Sequence, residues 1–216
     1  RAVVQAGETL TPGRIGLLAA AGYERLAVVR RPSVAIVATG DEVVAPGRPL
    51  AEGKLYASNL FMLTAWCRRL GMIARTAVIA DEGEAIRRGL QTMLAEADAL
   101  VTSGGAWGSD RDLVARALEQ LGWQCVFHRV RMGPGKAAGF GLLAGKPVFI
   151  LPGGPPSNLM AFLQIALPGL LRMAGGPSAG LPTAQVSLTQ DLSERQLEWT
   201  QFVFGLLEGP SEPPDF

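Results

Sequence analysis

The residues able to do chemistry fall in five short stretches, each directly after an apolar run or a short strand-like segment. They are 39–42 (T-G-D-E), 81–82 (D-E), 103–112 (S-G-G-A-W-G-S-D-R-D), 133–136 (G-P-G-K) and 152–158 (P-G-G-P-P-S-N). Together they carry Asp41, Glu42, Asp81, Glu82, Asp110 and Asp112. In an open α/β sheet the strand ends share one edge, so these loops are expected to meet there. Like charges packed together repel unless a hard cation or a raised pKa relieves them. Mg²⁺ bridging carboxylates and substrate phosphates is the economical answer. Gly104 and Gly105 lack Cβ atoms, which lets a ligand approach the backbone N–H groups closely. Lys136 adds a positive charge suited to phosphate or another oxyanion. Each stretch also has a plainer reading: Asp110 as a turn cap, and Asp-Glu pairs as the first turn of a helix. Their joint occurrence favours a ligand site.

The elements that must position these loops follow from hydrophobic pattern. Residues 34–38, 73–80 and 99–102 read as strands buried on both faces, and all three are expected at the centre of a sheet. Helices are expected over 13–21, from Ser58 or Asn59 as cap to 70, and over 84–97, 113–121 and 159–173. Thr11-Pro12 is a cap with proline at the first helical position, and Gly22, Gly71 and Gly122 are stops. Further strands are expected over 25–29 and 125–130, with 140–143 and 148–151 as a pair. Strands alternating with helices predict parallel strands joined by right-handed crossovers. The fold class is therefore α/β, a three-layer α/β/α domain whose mostly parallel sheet is made mixed by that pair. Small β pieces are expected at both ends: residues 1–31 as a lead-in, 32–175 as the main domain, and 176–216 as the start of a small β domain with strand-like 183–188 and 198–207.

Bulk properties narrow the partners. The 216 residues are 48% hydrophobic, ample for a packed core, and the net charge of +1 favours neither nucleic acid nor an anionic membrane. No apolar run approaches the roughly 18 residues of a spanning helix. Cys67 and Cys125 have no metal or redox spacing and read as buried small hydrophobes in a reducing cytoplasm. His128, the single histidine, cannot alone build a zinc site and reads as structural.

Several motifs taken together resemble the molybdopterin molybdenumtransferase family, which includes the E domain of gephyrin. They are V-A-I-V-A-T-G-D-E-V-V-A-P-G-R-P-L (34–50), S-N (58–59), T-S-G-G (102–105) with Asp112, M-G-P-G-K (132–136) and L-P-G-G-P-P-S-N (151–158). The lead-in T-P-G-R-I-G-L-L-A-A-A-G (11–22) also matches. The resemblance implies insertion of molybdate into adenylylated molybdopterin, with cleavage of the phosphoanhydride, release of AMP and use of Mg²⁺. It implies Glu42, Asp81 and Asp112 as catalytic carboxylates, with Asp41 joining them around the metal. It implies substrate contacts from Thr39, Gly40, Ser103, Gly104, Gly105, Pro134, Gly135, Lys136, Gly153, Gly154 and Ser157. A cytoplasmic homodimer is implied for the full-length enzyme.

Three departures from the family pattern stand out. Trp107 takes a small residue's place in the turn after the diglycine, where it either stacks on a pterin or blocks it. Gly154 stands where the family has asparagine. The family's remaining domains are only partly represented, so this chain alone is expected to bind ligand without full activity. Three other readings share parts of the pattern: a molybdopterin adenylyltransferase, a nucleotide pyrophosphatase and a non-catalytic scaffold.

Overall fold

Two strands whose every residue is buried, β1 (Ser33–Thr39) and β5 (Ala99–Ser103), run side by side through the middle of the molecule. In the computed structural model, which describes residues 3–105, 113–176, 180–193 and 198–206, the chain order is as follows. Helix α1 (Pro12–Ala20) precedes β1. A short parallel pair, β2 (Val43–Val44) and β3 (Leu55–Tyr56), leads to α2 (Ser58–Arg69) and β4 (Ile73–Ile79). Then come α3 (Gly83–Ala95), β5, α4 (Leu113–Gln120), β6 (Gln124–His128) and β7 (Met132–Gly133). The hairpin β8 (Gly139–Leu143) and β9 (Lys146–Leu151) follows, then α5 (Pro155–Ala161), a π turn (Phe162–Ala166), α6 (Leu167–Met173) and β10 (Thr200–Gln201).

The six-stranded sheet has the order β4-β1-β5-β9-β8-β6. Its first four strands are parallel, and β8 runs antiparallel to both β9 and β6. The mixed sheet is as expected. Because β1 and β5 are buried on both faces, alternate residues serve two cores. Val34, Ile36 and Ala38 pack with Leu60 and Leu63 of α2 and with Phe162, Leu167 and Leu170. Ala35, Val37 and Leu100 pack with Ile86 and Leu90 of α3 and Val114 and Leu118 of α4. The helices bury residues spaced three or four apart, the stripe an amphipathic helix offers a sheet. Three layers result.

The structure corrects several expectations. β4 is an edge strand, not a central one. Ile73 and Val78 are 52% and 41% exposed, and Arg75, which reaches out to Glu96, breaks the apolar run. A charge on a strand protects an edge from further pairing. Cys125 is exposed on β6, the opposite edge, whereas Cys67 is buried and its thiol is pushed up to about 12 by burial. Residues 25–29 form no strand, and Val28 and Val29 stay exposed, because no neighbouring segment supplies a ladder. Of the two strand-like stretches near the end, only Thr200–Gln201 pairs, with β7. The last helix begins four residues earlier than expected, with Pro155 and Pro156 in its first turn. It passes through a π turn just before Pro168, which has no N–H for a regular i−4 bond. Thr11 does cap α1, accepting from Arg14 N at 3.4 Å.

The starts of β1 and β5 are joined by one side chain. Asp98 Oδ2 accepts from Ser33 N at 2.7 Å, Asp98 N donates to Ser33 O at 2.7 Å, and Arg30 reaches Asp98 Oδ1 at 2.6 Å. The Arg30 guanidinium and the Ser33 N–H hold the Asp98 carboxyl below its ordinary value. A carboxyl with a lowered folded pKa stabilises above its unfolded value, roughly 3.9, and loses that contribution as pH falls through the folded value. Asp98→Asn is therefore expected to cost about 1 kcal/mol at neutral pH, and the difference from wild type to shrink steadily below about pH 4. Urea unfolding of both proteins across pH 2.5–7 checks this.

Candidate functional site

The strand order reverses between β1 and β5, since the chain leaves β1 for β4 on one side and returns to β5 on the other. At such a switch point the loops diverge and leave a crevice at the carboxyl ends of the strands. A cleft of about 930 Å³ lies there. Its floor is Thr39 and Gly40 after β1 and Ser103, Gly104 and Gly105 after β5. Glu42 and Asp81 stand on one side, Gly153, Gly154 and Pro155 on the other, and Tyr56, Ser58 and Asn59 complete the wall.

Most of the expected site residues thus meet. Thr39, Gly40, Glu42, Asp81, Ser103, Gly104, Gly105, Gly153 and Gly154 all line one cleft. Asp41 lies beside them, its Oδ1 accepting from Asp81 N at 3.1 Å while Lys54 Nζ donates to its carbonyl at 2.7 Å. Partial burial raises the Asp81 carboxyl above its ordinary value, and the charges of Asp41 and Glu42 raise it further. Among the described residues no three acidic, histidine or cysteine side chains converge closely enough to hold a metal alone. Asp112, like Trp107 and Asp110, lies outside the described residues.

The 133–136 loop sits elsewhere. Pro134, Gly135 and Lys136 are not part of the cleft wall. Gly135 packs against α5, where an added Cβ would lie 3.5 Å from the backbone oxygen of Ser157, and Ser157 is not among the residues of the cleft wall. Lys136 Nζ stands 5.4 Å from the centre of the Trp199 ring. Its charge is turned to the trailing segment, a cation–π contact, and not to the cleft.

The diglycine also serves packing. Gly104 N donates to Leu151 O at 3.1 Å, so that N–H is spent within the fold. Gly104 has φ +103° and an added Cβ would lie 2.8 Å from Thr39 O. Gly105 has φ +67°, and a Cβ there would overlap Val114. The two glycines let the β5 turn close against the end of β1 and the start of α4.

Two asparagines expected only as a helix cap or as part of a motif prove central. Asn59 does not cap α2, whose first turn has no side-chain cap. Its Nδ2 donates to Ser103 Oγ at 3.0 Å and to Gly153 O at 2.7 Å. Asn158, fully buried on α5, donates from Nδ2 to Ser103 Oγ at 3.1 Å and to Pro152 O at 2.8 Å. The signal available in sequence was the pair of Ser-Asn dipeptides, 58–59 and 157–158, but spacing alone does not say that their amides meet.

A doubly wound α/β domain with its cleft at the switch point, acidic at one side and hydroxyl- and amide-rich at the other, is the class of ligand-binding domain defined by this fold. The chain belongs to the family described as "Probable molybdopterin binding domain", whose model matches residues 35–172. Molybdopterin molybdenumtransferase 2 of Mycobacterium tuberculosis is 34% identical over 197 residues, covering 88% of this chain and 49% of that protein. The molybdopterin molybdenumtransferase of Haemophilus influenzae is 30% identical over 174 residues, covering 80% of this chain and 43% of that protein. The crystal structure of a molybdopterin biosynthesis protein from Pyrococcus horikoshii aligns with a TM-score of 0.72 at 36% identity, over 80% of this chain and 43% of that one. The chain spans about half the length of the curated relatives it matches, or somewhat less. None of the described helices is long and apolar enough to cross a membrane.

The glycine geometry makes a paired prediction. Gly104→Ala is expected to cost about 2–4 kcal/mol, because positive φ and contact with Thr39 O act together. Gly154 has φ −66° at the N-cap of α5 with nothing within 4 Å of an added Cβ. Gly154→Asn, which installs a capping side chain, is expected to gain a few tenths of a kcal/mol. Chemical denaturation of the two variants beside wild type measures both.

Proposed function

We propose that the full-length protein carrying this chain is a molybdopterin molybdenumtransferase. It places molybdate in the dithiolene of adenylylated molybdopterin and releases AMP as the phosphoanhydride is cleaved. The observation that carries this reading is the similarity of 88% of the chain to a protein of that name, whose matched segment includes every residue of the switch-point cleft. The cleft also suits a phosphorylated substrate that arrives with a cation.

The donor set fits Mg²⁺ of one kind. Mg²⁺ is commonly held by one or two carboxylates together with substrate phosphates and water, not by a cage of protein ligands. Glu42 and Asp81 offer two carboxylates on one side of the cleft, and Asp81 is raised by partial burial first and by the charges of Asp41 and Glu42 second. These two, with Asp112 as the family resemblance implies, would hold the ion, which when bound neutralises charge on the phosphates. Asp41 steadies Asp81 through its backbone N–H. Ser103 and the turns around Gly104 and Gly153 supply the surface on which the substrate lies. Lys136, Pro134, Gly135 and Ser157 are proposed to reach substrate only at the margin of the cleft or through a rearranged 133–136 loop. The same reading includes a cytoplasmic homodimer, which sedimentation of the full-length protein tests.

The experiment supplies the full-length protein with adenylylated molybdopterin, molybdate and Mg²⁺. AMP and active cofactor are expected in equal amounts. Pyrophosphate from ATP and molybdopterin would instead mark an adenylyltransferase, pyrophosphate-bond hydrolysis of free nucleotides a pyrophosphatase, and binding without turnover a scaffold. Glu42→Gln, Asp81→Asn and Asp112→Asn are each expected to slow AMP release by about two decades or more, since each decade is about 1.36 kcal/mol of barrier. If one of them were only a helix N-terminal charge, its loss would cost roughly 0.3–1 kcal/mol of stability and leave turnover near wild type. Melting temperatures recorded in parallel separate the two.

A further inference from the structure

Ser103 Oγ accepts two N–H bonds, one from Asn59 and one from Asn158. The direction of both is fixed. The same Nδ2 of Asn59 also faces Gly153 O, and that of Asn158 also faces Pro152 O. A backbone carbonyl only accepts, so each amide must turn its NH₂ and not its oxygen toward this corner. Each NH₂ has two hydrogens, one for the carbonyl and one for Ser103. A hydroxyl has two acceptor lone pairs and one proton. With both lone pairs engaged, Ser103 has only its proton left to give.

That proton has no acceptor among these partners, and Ser103, 5% exposed, lies in the wall of the cleft. We propose that Asn59 and Asn158 are positioning residues that lock the Ser103 hydroxyl as a one-way donor into the cleft, making that corner select for an oxyanion or other pure acceptor. The inference rests on the site reading given under Proposed function and adds to it a direction: a cation or a donor group is refused at Ser103 and accepted only at the Glu42–Asp81 side.

The test titrates molybdate and, separately, inorganic phosphate into the full-length protein at fixed Mg²⁺ by calorimetry. Ser103→Ala is expected to weaken binding about tenfold or more, the loss of one charge-assisted hydrogen bond. Asn59→Asp has the same shape, but its carboxylate only accepts, so it takes the Ser103 proton away from the cleft. It is expected to weaken binding about as much as Ser103→Ala, and to add no more than about twofold in the Ser103→Ala background. Asn59→Ala leaves the proton free to face the ligand and is expected to lose only about two- to threefold, whereas Asn59→Asp also sets a carboxylate against Gly153 O and is expected to melt no higher than Asn59→Ala. A merely structural asparagine would make both variants lose binding in step with their melting temperatures. Equal weakening by Asn59→Asp in both backgrounds would mean simple charge repulsion and overturn the inference. Ser103→Ala binding as wild type, or wild type binding neither oxyanion, would overturn it too. AMP release by wild type is scored separately, so loss of this inference does not carry the reaction with it.

Discussion

One oxygen atom joins three parts of the chain that are far apart in sequence. Ser103 Oγ, at the end of β5, is held by Asn59 on α2 and Asn158 on α5, and the same amides hold the carbonyls of Gly153 and Pro152. The helices on one face of the sheet, the end of a central strand and the loop after β9 are thereby set in register at the mouth of the cleft. A buried polar group left without a partner costs about 1–3 kcal/mol, and among the described residues Asn59 Oδ1 and Asn158 Oδ1 find none, so the corner is held by the N–H side of both amides alone. The arrangement also explains why Asn158 is buried completely although it is polar.

Polar residues at this corner follow from the sheet itself. β1 and β5 are buried on both faces and leave no room for chemistry along their length. Function can appear only where the strands stop. Gly104 brings the β5 turn against Thr39 O, narrowing the floor, while the reversal of strand order holds the loops above it apart. Packing and site are two consequences of one topology.

Much of this was legible in sequence, and the gaps have physical causes. Residues 34–38 and 99–102 announced buried parallel strands because nothing polar interrupts them, and the 144–145 turn announced a hairpin, realised with φ of +50° at Ala144 and +75° at Gly145. β4 was expected at the centre because residues 73–80 are mostly apolar, although Arg75 interrupts them. Edge or centre is decided by how many neighbours a strand has, which is a tertiary fact. Residues 25–29 and 183–188 alternate as strands do, but alternation supplies a face and not a partner. At the site, glycine and carboxylate loops were visible and nine of the expected residues line one cleft. Asn59 read as a helix cap because Ser, Asn and Asp favour that position, and its true partners lie 44 and 94 residues away.

The two sides of the cleft differ in how firmly they are built. The Ser103 side is set by the buried Asn158 bonds and the more exposed Asn59 bonds, which tie it to two helices and lower the cost of organising it on binding. The carboxylate side is exposed, and the hydrogen bond from Asp81 N to Asp41 Oδ1 ties its two loops together. The Asp81 carboxyl is raised there first by partial burial and then by the charges of Asp41 and Glu42. An anionic substrate approaching alone would meet a donor on one side and repulsion on the other. A substrate whose phosphates already carry a divalent cation meets attraction on both. On the proposed function, Glu42 and Asp81 would hold a cation that neutralises the substrate phosphates, while the Ser103 side would fix the orientation of the substrate.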